Sequence, residues 1–267
     1  MKYLLSLCFV FIAFNSFSQD FSYGSATHND NDFDRKTIDS NANAVVLKEF
    51  GTARLQLDEA TGRLVILFEY HVKIKIFNKE GFKHADVVIP TYKDDNIQEY
   101  VQDVNAVTHN YINENFVQTV MDRKALFTEN RSKYQSLTKF TLPNIKEGSI
   151  IEYKYRIQSP LIFNFRSWYF QGDIPKLHSE YLAYIPANFN YNVSLRGFYK
   201  LTDQKAEVSR ECLRLSGQAL DCSKMTYIMK NVPAFIEEDY MTAASNFMSA
   251  MHFELAEEHM LNGSKKS

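Results

Sequence analysis

Cysteine, positive charge surplus and long apolar runs are all scarce in this sequence, and each scarcity removes a class of protein. The formal net charge is −2, with 30 Lys and Arg against 32 Asp and Glu. That balance gives no basic footprint for nucleic acid. Beyond residue 20 no apolar run approaches the ~20 residues that a membrane-spanning helix needs, so no integral span is expected in the mature chain. No GxGxxG and no Walker A sequence is present, and none of the GxSxG type. The histidines at 28, 71, 84, 109, 178, 252 and 259 show neither HExxH nor another zinc spacing. No cofactor and no metal site are therefore expected. Aromatic residues at 14% and charged residues at 23% nevertheless describe a folded globular protein.

What is present begins with a secretory signal. Lys2 precedes an apolar stretch from Leu4 to Phe14, and Asn15-Ser16-Phe17-Ser18 supplies the small and polar end. Cleavage is expected near Ser18. Cys8 leaves with this segment, so Cys212 and Cys222 are the cysteines of the mature, exported chain. In an oxidising compartment the pair most simply forms one disulfide, two unpaired thiols being the other reading. Ser216-Gly217-Gln218 between them reads as a hairpin turn. A papain-type or transglutaminase-type nucleophile has no free thiol if the two pair.

Period-two alternation dominates the rest. Leu64, Ile66, Phe68, Tyr70, Val72, Ile74 and Ile76 occupy successive even positions, with Arg63, Glu69, His71, Lys73 and Lys75 between them. One face is buried and the other wet, as in an antiparallel sheet. Similar alternation over 151–157 and 225–230, with further strands over 44–57, 84–89, 99–112, 115–121, 137–142, 161–171, 178–186 and 190–200, predicts a mainly β, antiparallel sandwich-like domain. Short helices are expected over 30–37, 94–99 and 122–130. An outer-membrane barrel is disfavoured by the uneven strand lengths and by prolines at 90, 143, 160, 175, 186 and 233. The sequence thus divides into a signal at 1–18, a β-rich domain over 19–256, and a polar tail at 257–267.

Three stretches invite chemistry. Asp30, Asp32 and Asp34 match the first EF-hand ligand positions, but Arg35 stands where the turn needs Gly, and Asn41 where it needs Glu. A helix start is the better account. Glu237-Glu238-Asp239 reads as a charged loop. Phe163, Phe165 and Trp168 offer a stacking platform for a sugar or peptide, with Phe163 and Phe165 on one face by period two; core burial is the competing reading.

Taken together, several stretches resemble a known family. They are Asp39-Ser40-Asn41-Ala42-Asn43-Ala44-Val45-Val46-Leu47 with Phe50-Gly51, Leu142-Pro143-Asn144-Ile145-Lys146-Glu147-Gly148-Ser149-Ile150-Ile151-Glu152-Tyr153-Lys154-Tyr155, Trp168-Tyr169-Phe170-Gln171 with Ile174-Pro175 and Ser179-Glu180-Tyr181, and Val232-Pro233-Ala234-Phe235 with Glu237-Glu238 and Tyr240-Met241. Their order is similar to that of the β-rich domain of unknown function standing before a transglutaminase-like core in exported proteins of Gram-negative bacteria. In that family the catalytic cysteine, histidine and aspartate lie in the following domain. The resemblance implies an exported, non-catalytic module of the periplasm or cell envelope. Its expected partner is a downstream or separate transglutaminase-like domain, or another envelope protein. A carbohydrate- or peptide-binding module using the 163–170 aromatics is the alternative.

Overall fold

The computed structural model describes residues 21–215 and 217–259, and the backbone of 265–266. The expected signal peptide, and Ser216 of the expected turn, lie outside the described residues. The strands are β1 (Ala44–Asp58), β2 (Arg63–Ile76), β3 (Asp86–Tyr92), β4 (Tyr100–Ile112), β5 (Asn115–Val120), β6 (Phe127–Ser132), β7 (Gln135–Thr141) and β8 (Ile150–Ser159). They continue with β9 (Trp168–Tyr169), β10 (Lys176–Pro186), β11 (Phe189–Arg196), β12 (Asp203–Leu215), β13 (Gln218–Val232), β14 (Ala250–His259) and β15 (Lys265–Lys266). An eight-stranded sheet runs in the order β12-β13-β10-β1-β2-β8-β4-β5. Its neighbours are antiparallel except β1 and β10, which run parallel. A second sheet centres on β14, with β11 along one edge and β9 and β15 at the two ends of the other. A third has the order β3-β7-β6.

Both smaller sheets pack on one face of the large one, which makes the sandwich. The even positions of β2 supply this core face, and Ile66, Phe68, Val72, Ile74 and Ile76 join one apolar cluster with Ile89 and Phe140 of the third sheet and Met251 and Phe253 of the second. Burying each such side chain contributes about 1.5–3 kcal/mol, so this face carries most of the stability. Hairpin β1–β2 closes at Gly62, whose φ of +66° suits a residue without a Cβ.

One irregularity interrupts the pairing of that hairpin. Val46 pairs with Ile74, but Lys48 pairs with Lys73, so Leu47 is an extra residue in β1. A one-residue bulge exchanges the faces of everything after it. Glu49 and Gly51 thereby fall opposite Val72 and Tyr70, on the core face.

Three local expectations differ from the structure. Residues 161–171 form a loop with only Trp168 and Tyr169 in a strand, Pro160 having ended β8 and Tyr181 drawing the tryptophan inward. The helix expected at 122–130 is a 3-10 turn at Arg123–Ala125 followed by β6, because pairing with β7 overrides local helix preference. Residues 94–99 form a turn in which Asp94 accepts from the backbone of Asn96 and Ile97. The last long strand, β14, runs across the point near 256 where the sequence turns polar.

Candidate functional site

The bulge in β1 places a carboxylate where alternation alone would put an apolar residue. Glu49 accepts from Lys176 Nζ at 2.9 and 2.7 Å, from Ser179 Oγ at 2.6 Å and from Tyr70 at 2.8 Å. Lys176 also donates to the carbonyl of Tyr169 at 2.9 Å. Trp168 Nε1 donates to Ser179 Oγ at 3.0 Å, and the indole stacks on Tyr181 at 5.1 Å. The ring lies flat there because Gly51 has no Cβ; one would overlap the indole. Every charge in this cluster is thus closed by a neighbour.

Beside it the core face opens as a cleft of about 350 Å³, lined by Phe68, Tyr70, Tyr155, Arg166, Trp168 and Lys176 among others. Tyr70 and Tyr155 stack at 5.1 Å. The Arg166 guanidinium sits 5.6 Å from the Phe68 ring and 3.3 Å from Glu99. Burial, with the Glu49 carboxylate next in size, holds the Tyr70 hydroxyl well above its usual range. Burial raises Tyr155 to about 12 against the opposing charge of Arg166. Both phenols are therefore neutral hydrogen-bonding groups at physiological pH and not bases. The Tyr155 hydroxyl makes no hydrogen bond to the described residues. The cleft offers rings, a hydroxyl and a cation, a binding chemistry and not a nucleophilic one.

Alternation predicts that the opposite face of the large sheet is wet, and the structure corrects this. His71, Lys73 and Lys75 are about 3–4% exposed because the segment from Phe21 to Asn31 crosses over them. Phe21 stacks on the His71 ring at 3.9 Å. Gly24 N–H donates to Glu152 at 3.1 Å, Lys73 reaches the Ser25 carbonyl at 2.6 Å and Asp30 at 3.2 Å, and Lys75 reaches Asn31 at 3.2 Å. Beneath this strap Glu152 lies between His71 at 2.7 Å and His109 at 3.1 Å. Burial raises the Glu152 pKa, but the hydrogen bonds from His109 and His71 and the charge of Lys73 outweigh it, leaving it below the usual range. Burial pushes Lys75 down to about 8.

The residues singled out in the sequence separate. Cys212 and Cys222 form a disulfide joining β12 to β13, Cα to Cα 5.8 Å. Phe165 and Trp168 are buried, at 0% and 3%, whereas Phe163 is 56% exposed. Because 161–167 is a loop and not a strand, Phe163 and Phe165 do not share a face, and a three-ring platform does not form. Asp30 is engaged by Lys73 and by its own capping box with Thr27, and Asp34 caps the next turn. Glu237, Glu238 and Asp239 lie in an exposed loop. Sequence reasoning misses Glu49, Tyr155, Arg166 and Lys176; the one available signal is an acid in the apolar run 44–50. Ser167 Oγ lies 2.9 Å from His252 Nδ1, but no carboxylate among the described residues orients that imidazole as a hydrolytic triad requires. No helix among the described residues is long and apolar enough to cross a membrane.

No protein-family model and no curated protein matches the chain. Among solved structures its fold is similar to that of a candidate protease from Parabacteroides distasonis, with a TM-score of 0.59 and 10% identity. The match covers 80% of this chain and 40% of that one, so the chain spans well under half of that protein's length. At this identity the likeness is one of fold.

Proposed function

We propose that this chain is an exported, non-catalytic binding module of the cell envelope, accessory to a transglutaminase-like, peptide-processing core. On this reading the tyrosine cleft receives an extended segment of that core or of its peptide substrate. The observation that carries the reading is the cleft itself, where the buried charges are already closed. The groups lining the opening are rings, a phenol without a partner among the described residues, and a guanidinium whose pairing with Glu99 leaves further N–H donors to offer. An extended peptide matches these, with side chains for the rings and backbone carbonyls for Tyr155 and Arg166. The sequence resemblance and the partial coverage of a larger protein of similar fold are further support. The disulfide agrees with an oxidising compartment.

The test is to express the chain with the protein encoded immediately downstream, locate both by fractionation, and measure their affinity by calorimetry. Binding to a Cys/His/Asp-bearing core, weakened about tenfold or more by Arg166→Ala, is the expected result. A downstream frame without such a core, together with a chain retained in the cytoplasm, would sink the proposal.

A further inference from the structure

The second sheet carries another concavity, of about 380 Å³, on the side away from the core, and it does not depend on the tyrosine cleft. Its wall is a cross-strand ladder in which Asn192 of β11 stands opposite Glu254 of β14, and Ser194 opposite His252, with Arg196 next along β11. Alternation sends Tyr191 and Phe253 inward, so the polar set shares one face of a rigid sheet. Asn192, Ser194, Arg196 and Glu254 make no side-chain hydrogen bond or ion pair to any described residue. Phe163 borders this wall with its ring largely exposed, although its backbone is fixed: its carbonyl accepts from Leu255 N–H at 3.2 Å. His252 is fixed as well, by Ser167 Oγ at 2.9 Å and by an edge-on contact with Tyr169 at 6.0 Å. Desolvation and then Arg196 push its pKa down, so the imidazole is neutral at pH 7.

The chemistry of this set selects among ligands. Arg196 is balanced by Glu254, so the groove has no cationic surplus for a polyanion. No group of three metal-ligating side chains converges among the described residues. A single ring is too little for an apolar docking face. A sugar ring, by contrast, has an apolar C–H face that stacks on an aromatic side chain. Its vicinal hydroxyls donate and accept together, which suits planar amide, carboxylate, guanidinium and imidazole groups. The volume falls in the roughly 300–1,000 Å³ range of small-molecule sites. We propose that the groove between Phe163 and the Asn192–Glu254 and Ser194–His252 pairs binds a short oligosaccharide. Phe163 stacks on one sugar face, Asn192 and Glu254 take one pair of hydroxyls, and Arg196 with His252 takes the next.

The experiment is titration of the isotope-labelled chain with chitotetraose and, separately, cellotetraose at millimolar concentration, followed by NMR. Shift changes confined to 163–167, 192–196 and 252–254 are expected with at least one sugar. A response to chitotetraose alone assigns an N-acetylhexosamine; a response to both assigns the shared hydroxyl pattern. Phe163→Ala removes a largely exposed ring, so the melting temperature stays within a degree or two while affinity falls about tenfold or more. Asn192→Ala gives an independent loss. Absence of any shift with both sugars, shifts centred elsewhere, or binding that survives both substitutions overturns the assignment.

Discussion

The two faces of the large sheet bury charge in different ways. On the core face Glu49 is closed by Lys176, Ser179 and Tyr70, all of them strand residues of the same sheet. On the outer face Glu152 shares two histidines of the sheet, but Lys73 depends on Ser25 and Asp30 of a strap with little regular structure. Lys75 divides its donors between Asn31 of that strap and the Gly148 carbonyl at 2.8 Å. Removing an ion from water costs several kcal/mol unless its partners are fixed in place. The first cluster is therefore as durable as the sheet. The second is only as durable as the strap, whose loss returns its ions to solvent. A face can be dry because of what the sheet contains, or because of what lies on it.

That contrast predicts a ranking. Lys176→Met strands Glu49 in the interior and is expected to destabilise the fold by about 3–5 kcal/mol, measured by urea denaturation. A paired Glu49→Leu, Lys176→Met variant should recover much of the loss, since no lone charge remains. A single-variant loss under about 1 kcal/mol would show Glu49 regaining water, and the core face would be wetter than the structure has it. Reducing the Cys212–Cys222 disulfide provides a yardstick that touches neither cluster. Its 10-residue separation predicts a loss of roughly 2–3 kcal/mol, and only the reduced protein should take up a thiol-alkylating reagent.

Deleting residues 21–31 is expected to matter less, about 1–3 kcal/mol, because solvent replaces the lost partners. Hydrogen exchange should then rise around residues 71–75 and 150–154 while β10 and β13 keep their protection. A deletion as damaging as Lys176→Met would erase the distinction between the faces. The same face carries an acid dependence. The folded pKa of Glu152 lies below its ordinary value of 4.5, so the unfolded chain binds more protons in that window and stability rises with pH there. The contribution is complete above about pH 4.5 and is lost as pH falls through the folded value. Glu152→Gln should flatten this limb of the stability profile, and a limb unchanged by the substitution would assign it to other carboxylates.

Much of the architecture is legible in the sequence because one signal repeats. The even positions from Leu64 to Ile76 form the core face, as their alternation requires. The odd positions mislead, since polarity at 71, 73 and 75 identifies a face as polar and says nothing about a strap that covers it. The cleft is hidden for a different reason. Whether Glu49 points inward depends on one extra residue at Leu47, and a bulge is a property of the pairing with β2 that a single strand does not announce. Trp168 and Phe165 go to the core because Tyr181, Ser179, Gly51 and Tyr191 receive them there, contacts across sequence separations that period two cannot see. The 163–170 aromatics therefore supply one exposed ring, Phe163, and not a three-residue platform.

The smallest stability effect is expected where the cleft meets solvent. Tyr155→Phe removes a hydroxyl with no partner among the described residues, so the unfolding free energy should change by no more than about 0.5 kcal/mol. Tyr70→Phe, one stacked ring away, deletes a hydrogen bond to a buried carboxylate and should be the more damaging of the two, by about 1.5–3 kcal/mol. The two substitutions remove the same atom from the same face, so a difference between them isolates what the atom was bonded to. If Tyr155→Phe leaves the fold intact and weakens capture of the proposed peptide-processing partner, the hydroxyl belongs to the ligand and not to the sheet. If it destabilises as much as Tyr70→Phe, Tyr155 serves the interior and the cleft is closed to a guest.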